Sequence, residues 1–107
     1  MQKMTKAKII IGRINGEFIK SNNVTTLTIL SVPDYGKFEK LECKVRCNDT
    51  ANTQGDWQLN AQSNNALINK FQDDTEKWVT KTIPVQAHEY KSGIGINVDV
   101  AKLEGTL

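Results

Sequence analysis

The chain has 107 residues, of which 38% are hydrophobic and 24% charged, so it fits one domain around a single core and is too apolar for wholesale disorder. Its formal charge of +2 does not by itself demand a nucleic-acid partner, although it leaves room for a local basic stripe. It has no apolar run near the roughly 20 residues of a membrane helix and no signal-peptide cleavage pattern, so the sequence predicts one cytoplasmic domain over residues 1–107 with no membrane partner.

The first strand is predicted from a run of isoleucines. It is expected to occupy residues 8–18, with Gly12 at a place where a bulge or sharp bend is tolerated. Asn15-Gly16 is a tight-turn dipeptide, but the turn at residues 21–23 is favoured as the end of this strand.

The second and third strands follow from β-favouring residues and from alternation. Residues 24–32 are almost entirely β-favouring and end at a proline turn. Residues 41–47 alternate almost strictly between apolar and charged side chains, which predicts a half-buried strand. Cys43 and Cys47 would lie on its apolar face about 13 Å apart. That separation is too large for a disulfide, so both are expected as reduced core residues.

Helical periodicity occurs only once. Residues 57–60 are extended in character and are expected to pair with the end of the third strand, which would put Trp57 near a loop mouth. A broken helical segment then runs from about residue 63 to 79. Ser63 can cap its start, and Trp78 near its end is expected to be a core residue.

The last two strands, residues 82–89 and 94–100, are predicted to form a hairpin. The order of three strands, a helical segment and two strands predicts a mainly β fold. We expect a five-stranded OB-fold-like Greek-key barrel with a helical segment between strands 3 and 4. An immunoglobulin-like sandwich needs about seven strands and has no place for the helical segment. A small α+β sheet with one packed helix is the open alternative.

Residues 57–100 also resemble a group of small, mostly uncharacterised phage and archaeal proteins that are taken to be OB-like. The resemblance is carried by Trp57-x-Leu59-Asn60, Asn65-Ala66-Leu67-Ile68, Phe71, Asp73-Asp74-Thr75 and Trp78-Val79-x-Lys81. This chain has Thr80 where the pattern usually has glycine, and Gln72 where glycine often precedes the aspartates. The resemblance implies single-stranded DNA binding in replication or recombination, and it supplies no catalytic residue.

Catalytic and metal sites have little support in the sequence. His88 is the only histidine, and no serine or cysteine nucleophile stands beside it. The two cysteines lack the second ligand pair of a zinc site. The carboxylates at residues 73–76 fit the start of a helix better than a calcium loop. The sequence therefore predicts a binding protein rather than an enzyme, with no cofactor and no metal.

A nucleic-acid-binding groove is the favoured functional hypothesis, because OB-type sites combine cations for phosphates with aromatic rings for bases. Cationic and aromatic residues interleave around the third strand and recur in the last hairpin turn. The predicted site contains Tyr35, Lys37, Phe38, Lys40, Lys44, Arg46, Trp57, Tyr90 and Lys91. Its expected partner is single-stranded DNA or RNA.

A second hypothesis is a protein-interaction or assembly module, in which the same aromatic surface forms a subunit interface such as that of a homodimer. An interpretation without any binding function is also open: the charged residues form a solvent-exposed strand face, and Phe38 and Trp57 cover the core.

Overall fold

The computed structural model describes residues 10–36 and 39–105. Strand accounts for 39% of these residues and helix for 28%, which confirms the expected mainly β class. Two predicted site residues, Lys37 and Phe38, lie outside the described residues. The elements in chain order are β1 (Ile10–Arg13), α1 (Gly16–Ser21), β2 (Thr26–Ile29), β3 (Asp34–Tyr35), β4 (Leu41–Cys47), β5 (Gln54–Gln58), α2 (Ala61–Phe71), a 3-10 turn (Thr75–Trp78), β6 (Thr82–Tyr90), β7 (Gly93–Val98) and α3 (Val100–Glu104).

The strands of the described residues form a mixed sheet that curls into a half-barrel. Their order is β1-β5-β4-β2-β6-β7, and β3 pairs with β4 beyond the end of β2. β1 runs parallel to β5, and the remaining pairs are antiparallel. The sequence predicted five strands. The described part of the chain has seven, because β3 separates from β2 and the extended segment before α2 is a full strand, β5.

β4 has the predicted bounds and the predicted faces. Its apolar residues are buried, whereas Lys44 and Arg46 are exposed. Cys43 lies opposite Trp57 of β5, and Val45 lies opposite Ile29 of β2. Because directly opposite residues point to the same side of a sheet, these registers bring the apolar side chains of three strands into one core.

The first strand is shorter than the sequence suggested. β1 ends at Arg13, and α1 begins at Gly16. Asn15 caps this helix, with its side-chain Oδ1 accepting a hydrogen bond from the N–H of Phe18 at 2.8 Å. The prediction of strand up to residue 18 was wrong because an asparagine before glycine can cap a helix as well as make a tight turn. The expected irregularity near Gly12 is confirmed by a register shift between Ile10 and Arg13.

The predicted second strand is interrupted. β2 covers only Thr26–Ile29. Beyond it the chain still runs beside β4, where the backbone N–H of Lys44 donates to the side-chain Oγ of Ser31 at 2.8 Å. Pro33 follows and has no N–H to donate. Pairing resumes in β3, where Tyr35 lies opposite Leu41.

The helical segment has two parts. Asn60, rather than Ser63, caps α2, and its Oδ1 accepts from the N–H of Ser63 at 2.9 Å. α2 ends at Phe71, and the 3-10 turn ends at Trp78, which is fully buried as predicted. The indole Nε1–H of Trp78 donates to the carbonyl of Gln72 at 3.0 Å, which joins the two parts.

The final hairpin is confirmed, although β7 ends at Val98 rather than at residue 100. Asp99 caps α3 instead, because its Oδ1 accepts from the N–H of Lys102 at 3.2 Å. β2 pairs with β6 only over the first three residues of β6, so the rest of the hairpin extends past the main sheet. α1 supports this extension, with an ion pair of 3.2 Å between Lys20 Nζ and Glu89 Oε1.

The core fills the concave side of the curled sheet. Its largest fully buried side chains are Trp57 and Trp78, and both cysteines are buried and unbridged, as predicted. None of the helices in the described ranges is long and apolar enough to cross a membrane.

Candidate functional site

The candidate site is a concave surface where the turn of the β6–β7 hairpin, the start of α2 and the β1–α1 connection meet. It consists of three adjoining pockets that share Asn60, and we call it the hairpin groove. The Tyr90 pocket, about 420 Å³, is lined by Asn60, Ala61, Gln62, Tyr90, Ser92, Gly93, Ile94 and Gly95. The Arg13 pocket, about 370 Å³, adds Arg13, Asn15, Lys40 and Gln58, and the Tyr35 pocket, about 280 Å³, adds Tyr35, Lys40, Leu59 and Asn64.

Tyr90 is held in place by three neighbours. Its ring covers Gly95, where an added methyl group would lie only 2.9 Å from Cε2. Its hydroxyl donates to Oδ1 of Asn97 at 2.6 Å, and the His88 ring packs against it with centroids 4.5 Å apart. Even so, 44% of Tyr90 is exposed. The ring is therefore a fixed aromatic surface that opens into the Tyr90 pocket.

The floor of the groove is fixed by the first turn of α2. Asn60 Nδ2–H donates to the same Asn97 Oδ1 at 3.0 Å, which ties the helix cap to Tyr90. Ser63 Oγ donates to the carbonyl of Ile96 at 3.1 Å. Because these buried and half-buried polar groups are satisfied by one another, they hold the groove in one shape.

The charge of the groove is positive. Arg13 and Lys40 line the Arg13 pocket, and none of its described lining residues is acidic. Lys91 lies in the hairpin turn directly after Tyr90 and is exposed. Glu39, at the edge of the Tyr35 pocket, is the one carboxylate among the described lining residues of the three pockets.

No family model, curated protein or solved structure matches the chain. Its function is therefore inferred from the geometry and chemistry of its own residues.

The structure separates the predicted site residues into two groups. Tyr35, Lys40 and Tyr90 line the hairpin groove, with Lys91 beside them. Lys44 and Arg46 instead project from the convex face of β4, opposite to its buried residues.

Lys44 is also engaged there, since its Nζ lies 3.0 Å from Oδ1 of Asp56 on the neighbouring strand. Tyr35 lies opposite Leu41, on the other face of β4 from Lys44. A single groove containing all of these residues does not form.

Trp57 is not part of any surface site. It is fully buried in the core, opposite Cys43, and therefore cannot stack on a ligand. The expectation that it stands at a loop mouth was wrong because β5 begins at Gln54, which places Trp57 within the strand and on its inward face.

Arg13, Asn60, Ser92 and Gly95 are groove residues that the sequence did not reveal. A signal existed for one of them, because Asn60 stands three residues before Ser63 in a spacing typical of a helix cap. Arg13 and Gly95 are far apart in sequence, and only the packing of α1 against the hairpin brings them together.

Two kinds of reactive group, metal clusters and activated thiols, can be assessed directly in the described residues. These residues contain no group of three or more histidine, cysteine, aspartate or glutamate side chains arranged to hold a metal ion. Burial raises the pKa of Cys43 to about 12 and that of Cys47 to about 11, and the nearby carboxylates of Asp56 and Asp49 add to these shifts. Both thiols are therefore protonated at neutral pH and are not nucleophiles.

Proposed function

We propose that the chain binds single-stranded nucleic acid, DNA in the first instance, in the hairpin groove and without sequence preference. The observation that carries this proposal is the exposed, fixed ring of Tyr90. Aromatic rings bind single strands by stacking on bases, and stacking tolerates any sequence because every base has a π face. A ring that is already held by Gly95, Asn97 and His88 loses little entropy on binding.

The charges of the groove support the same ligand. Arg13 and Lys40 line the Arg13 pocket, and exposed Lys91 follows Tyr90 in the hairpin turn. Cations near an aromatic ring are the usual combination for a single strand. Tyr35, 71% exposed, stands at the far end of the groove next to Lys40 and offers a second ring.

The sheet order supports an OB-like interpretation. β2 lies between β4 and β6, with β5 beyond β4 and β7 beyond β6. We propose that these are the five strands of an opened OB-like barrel, and that α2 is its connecting helix. In such a barrel the loops after the first and fourth strands flank the binding face. Here they are the connection that ends at Lys40 and the hairpin turn after Tyr90. A role in replication or recombination, as the resemblance implies, fits a sequence-tolerant binder.

The direct test is fluorescence anisotropy of labelled oligo(dT) at low salt. Because Trp57 and Trp78 are both buried, intrinsic fluorescence is a poor reporter. Tyr90→Leu is expected to weaken binding about 5- to 150-fold, since stacking on one base contributes about 1–3 kcal/mol. Tyr90→Phe keeps the ring and is expected to stay within a few-fold of the natural chain.

A matched pair of charge variants locates the site. Lys40→Ala is expected to weaken binding, whereas Arg46→Ala, on the convex face, is expected to leave it unchanged. Absence of binding at low salt contradicts the proposed function. Loss of binding on Arg46→Ala with none on Lys40→Ala moves the site to the convex face.

A second candidate function is favoured by a different observation. Leu30 and Val32, 36% and 49% exposed, follow β2 close to Lys44, and exposed apolar residues can form a subunit interface. Sedimentation velocity tests this assembly module, because a dimer that forms without DNA and dissociates on Val32→Ser supports it. A monomer at all concentrations excludes it.

A further inference from the structure

One edge of β7 faces the hairpin groove instead of a neighbouring strand. Both backbone groups of Val98 point away from β6, because its N–H donates to Gln62 Oε1 at 2.8 Å and its carbonyl accepts from Gln62 Nε2 at 2.9 Å. The β6–β7 register is regular from Val98 to Gly93. Since backbone groups alternate in direction along an antiparallel strand, the N–H and C=O groups of Ile96 and Ile94 point to the same free edge.

Two carbonyls of this edge already accept hydrogen bonds, and the third is crowded by a neighbouring glycine. Gln62 covers Val98, and Ser63 Oγ donates to the carbonyl of Ile96 at 3.1 Å. Gly16 lies against the carbonyl of Ile94 so closely that an added methyl group there would clash with the oxygen. What the edge offers to a ligand is therefore chiefly two N–H groups, those of Ile94 and Ile96, for which the described residues supply no hydrogen-bond acceptor.

These two donors face a positive environment. Ile94 and Ile96 line the Arg13 pocket together with Arg13 and Lys40. Within the described part of the chain, neither cation has a carboxylate partner, in contrast to Lys20 and Lys44, which are paired. Sheet edges with unpaired N–H groups form anion-binding concavities, and cations beside them strengthen the preference for negative charge.

We infer that the β7 edge binds a phosphate group through the N–H groups of Ile94 and Ile96, with Arg13 and Lys40 neutralising its charge. This inference deepens the proposed function and rests on it for its ligand, a phosphodiester of a single strand. The Arg13 and Tyr90 pockets adjoin through Asn60, Ser92, Ile94 and Gly95. A nucleotide whose base stacks on Tyr90 can therefore place its own or the next phosphate against the edge.

The first test is amide NMR of the full chain, titrated separately with inorganic phosphate and with oligo(dT) at constant ionic strength. The amide signals of Ile94 and Ile96 are expected to shift in both titrations and not with added chloride. The Val98 amide, already bonded to Gln62, is the internal control and is expected to stay in place with inorganic phosphate. Unmoved signals of Ile94 and Ile96 in both titrations overturn the inference.

The second test is the salt dependence of oligo(dT) affinity. Arg13→Ala and Lys40→Ala are each expected to reduce the slope of log affinity against log salt by up to about 0.7, the value for one phosphate contact on a single strand. Tyr90→Leu is expected to lower affinity with the slope unchanged, and Arg46→Ala to change neither quantity. An unchanged slope for both groove cations overturns the inference.

The two proposals fail in different ways. Binding of oligo(dT) without any shift of Ile94 and Ile96 rejects the phosphate site and keeps the proposed function. Shifts with inorganic phosphate but no binding of oligo(dT) keep an anion site and reject the single-strand function. Absence of both responses rejects both.

Discussion

Gln72 occupies a backbone conformation that residues other than glycine rarely adopt. Its φ is 68° and its ψ is −176°, a region almost exclusive to glycine because it forces a side-chain Cβ against the backbone. Two contacts hold the residue there. Its N–H donates to the carbonyl of Ile68 at 2.8 Å, and its own carbonyl accepts from Trp78 Nε1 at 3.0 Å.

Gln72→Gly is therefore expected to stabilise the protein. Relief of this strain raises the free energy of unfolding by about 1–3 kcal/mol. The greater conformational freedom of glycine in the unfolded chain lowers it by about 0.4–1 kcal/mol. A net gain of about 1 kcal/mol corresponds to a rise of about 4–8 °C in the melting temperature of a domain of this size. Calorimetry or thermal circular dichroism measures the change.

Gln72→Ala is the matched control, because it removes the long side chain and keeps the Cβ. It is expected to melt close to the natural chain. An equal rise for both variants, or no rise for Gln72→Gly, would refute the strain argument. Thr80, a β-branched residue, also has a positive φ, of 71°.

Three further predictions concern the core. Trp57→Phe is expected to reduce the free energy of unfolding in urea by about 1–3 kcal/mol less than Trp78→Phe does. The buried Nε1–H of Trp57 has no partner among the described residues, whereas that of Trp78 donates to a carbonyl. Equal costs would contradict this. Gly16→Ala is expected to lower the free energy of unfolding by about 1–3 kcal/mol, because the added Cβ would collide with the backbone of the hairpin. An unchanged free energy of unfolding would show that α1 can move away from the hairpin. Cys43 and Cys47 are expected to resist a thiol reagent at pH 8 and to react once urea unfolds the chain. The pKa values of both thiols are raised in the folded state. Their contribution to the free energy of unfolding is therefore fully present below the unfolded-state pKa, near 8.5. As pH rises above that value, the free energy of unfolding falls by up to about 1.4 kcal/mol per pH unit for each thiol. A Cys43→Ala, Cys47→Ala double variant is expected to flatten that decline.

The elements that the sequence predicts well are those whose signal is local. The alternation of β4 is visible in seven consecutive residues, and it gives both the bounds and the faces of the strand. The hairpin of β6 and β7 is marked by two β-favouring runs around a short turn. α1 was missed because six residues provide less than two full helical turns of periodicity, and Asn15 serves a turn and a cap equally well.

The candidate site depended much more on the tertiary structure. The sequence by itself determined that basic and aromatic side chains flank β4 and the last hairpin turn. It could not determine that Trp57 is buried while Tyr90 is exposed, since exposure depends on which distant element packs over a ring.

Only the tertiary structure decided which cations share a groove with Tyr90. Lys40 and Lys44 are four residues apart, yet Lys40 lies in the groove and Lys44 on the convex face of the sheet. Arg13 joins Lys40 because α1 packs against the edge of β7 at Gly16. That long-range contact has no signature within either segment, because it arises from the complementary shapes of two backbones that meet only in the folded chain.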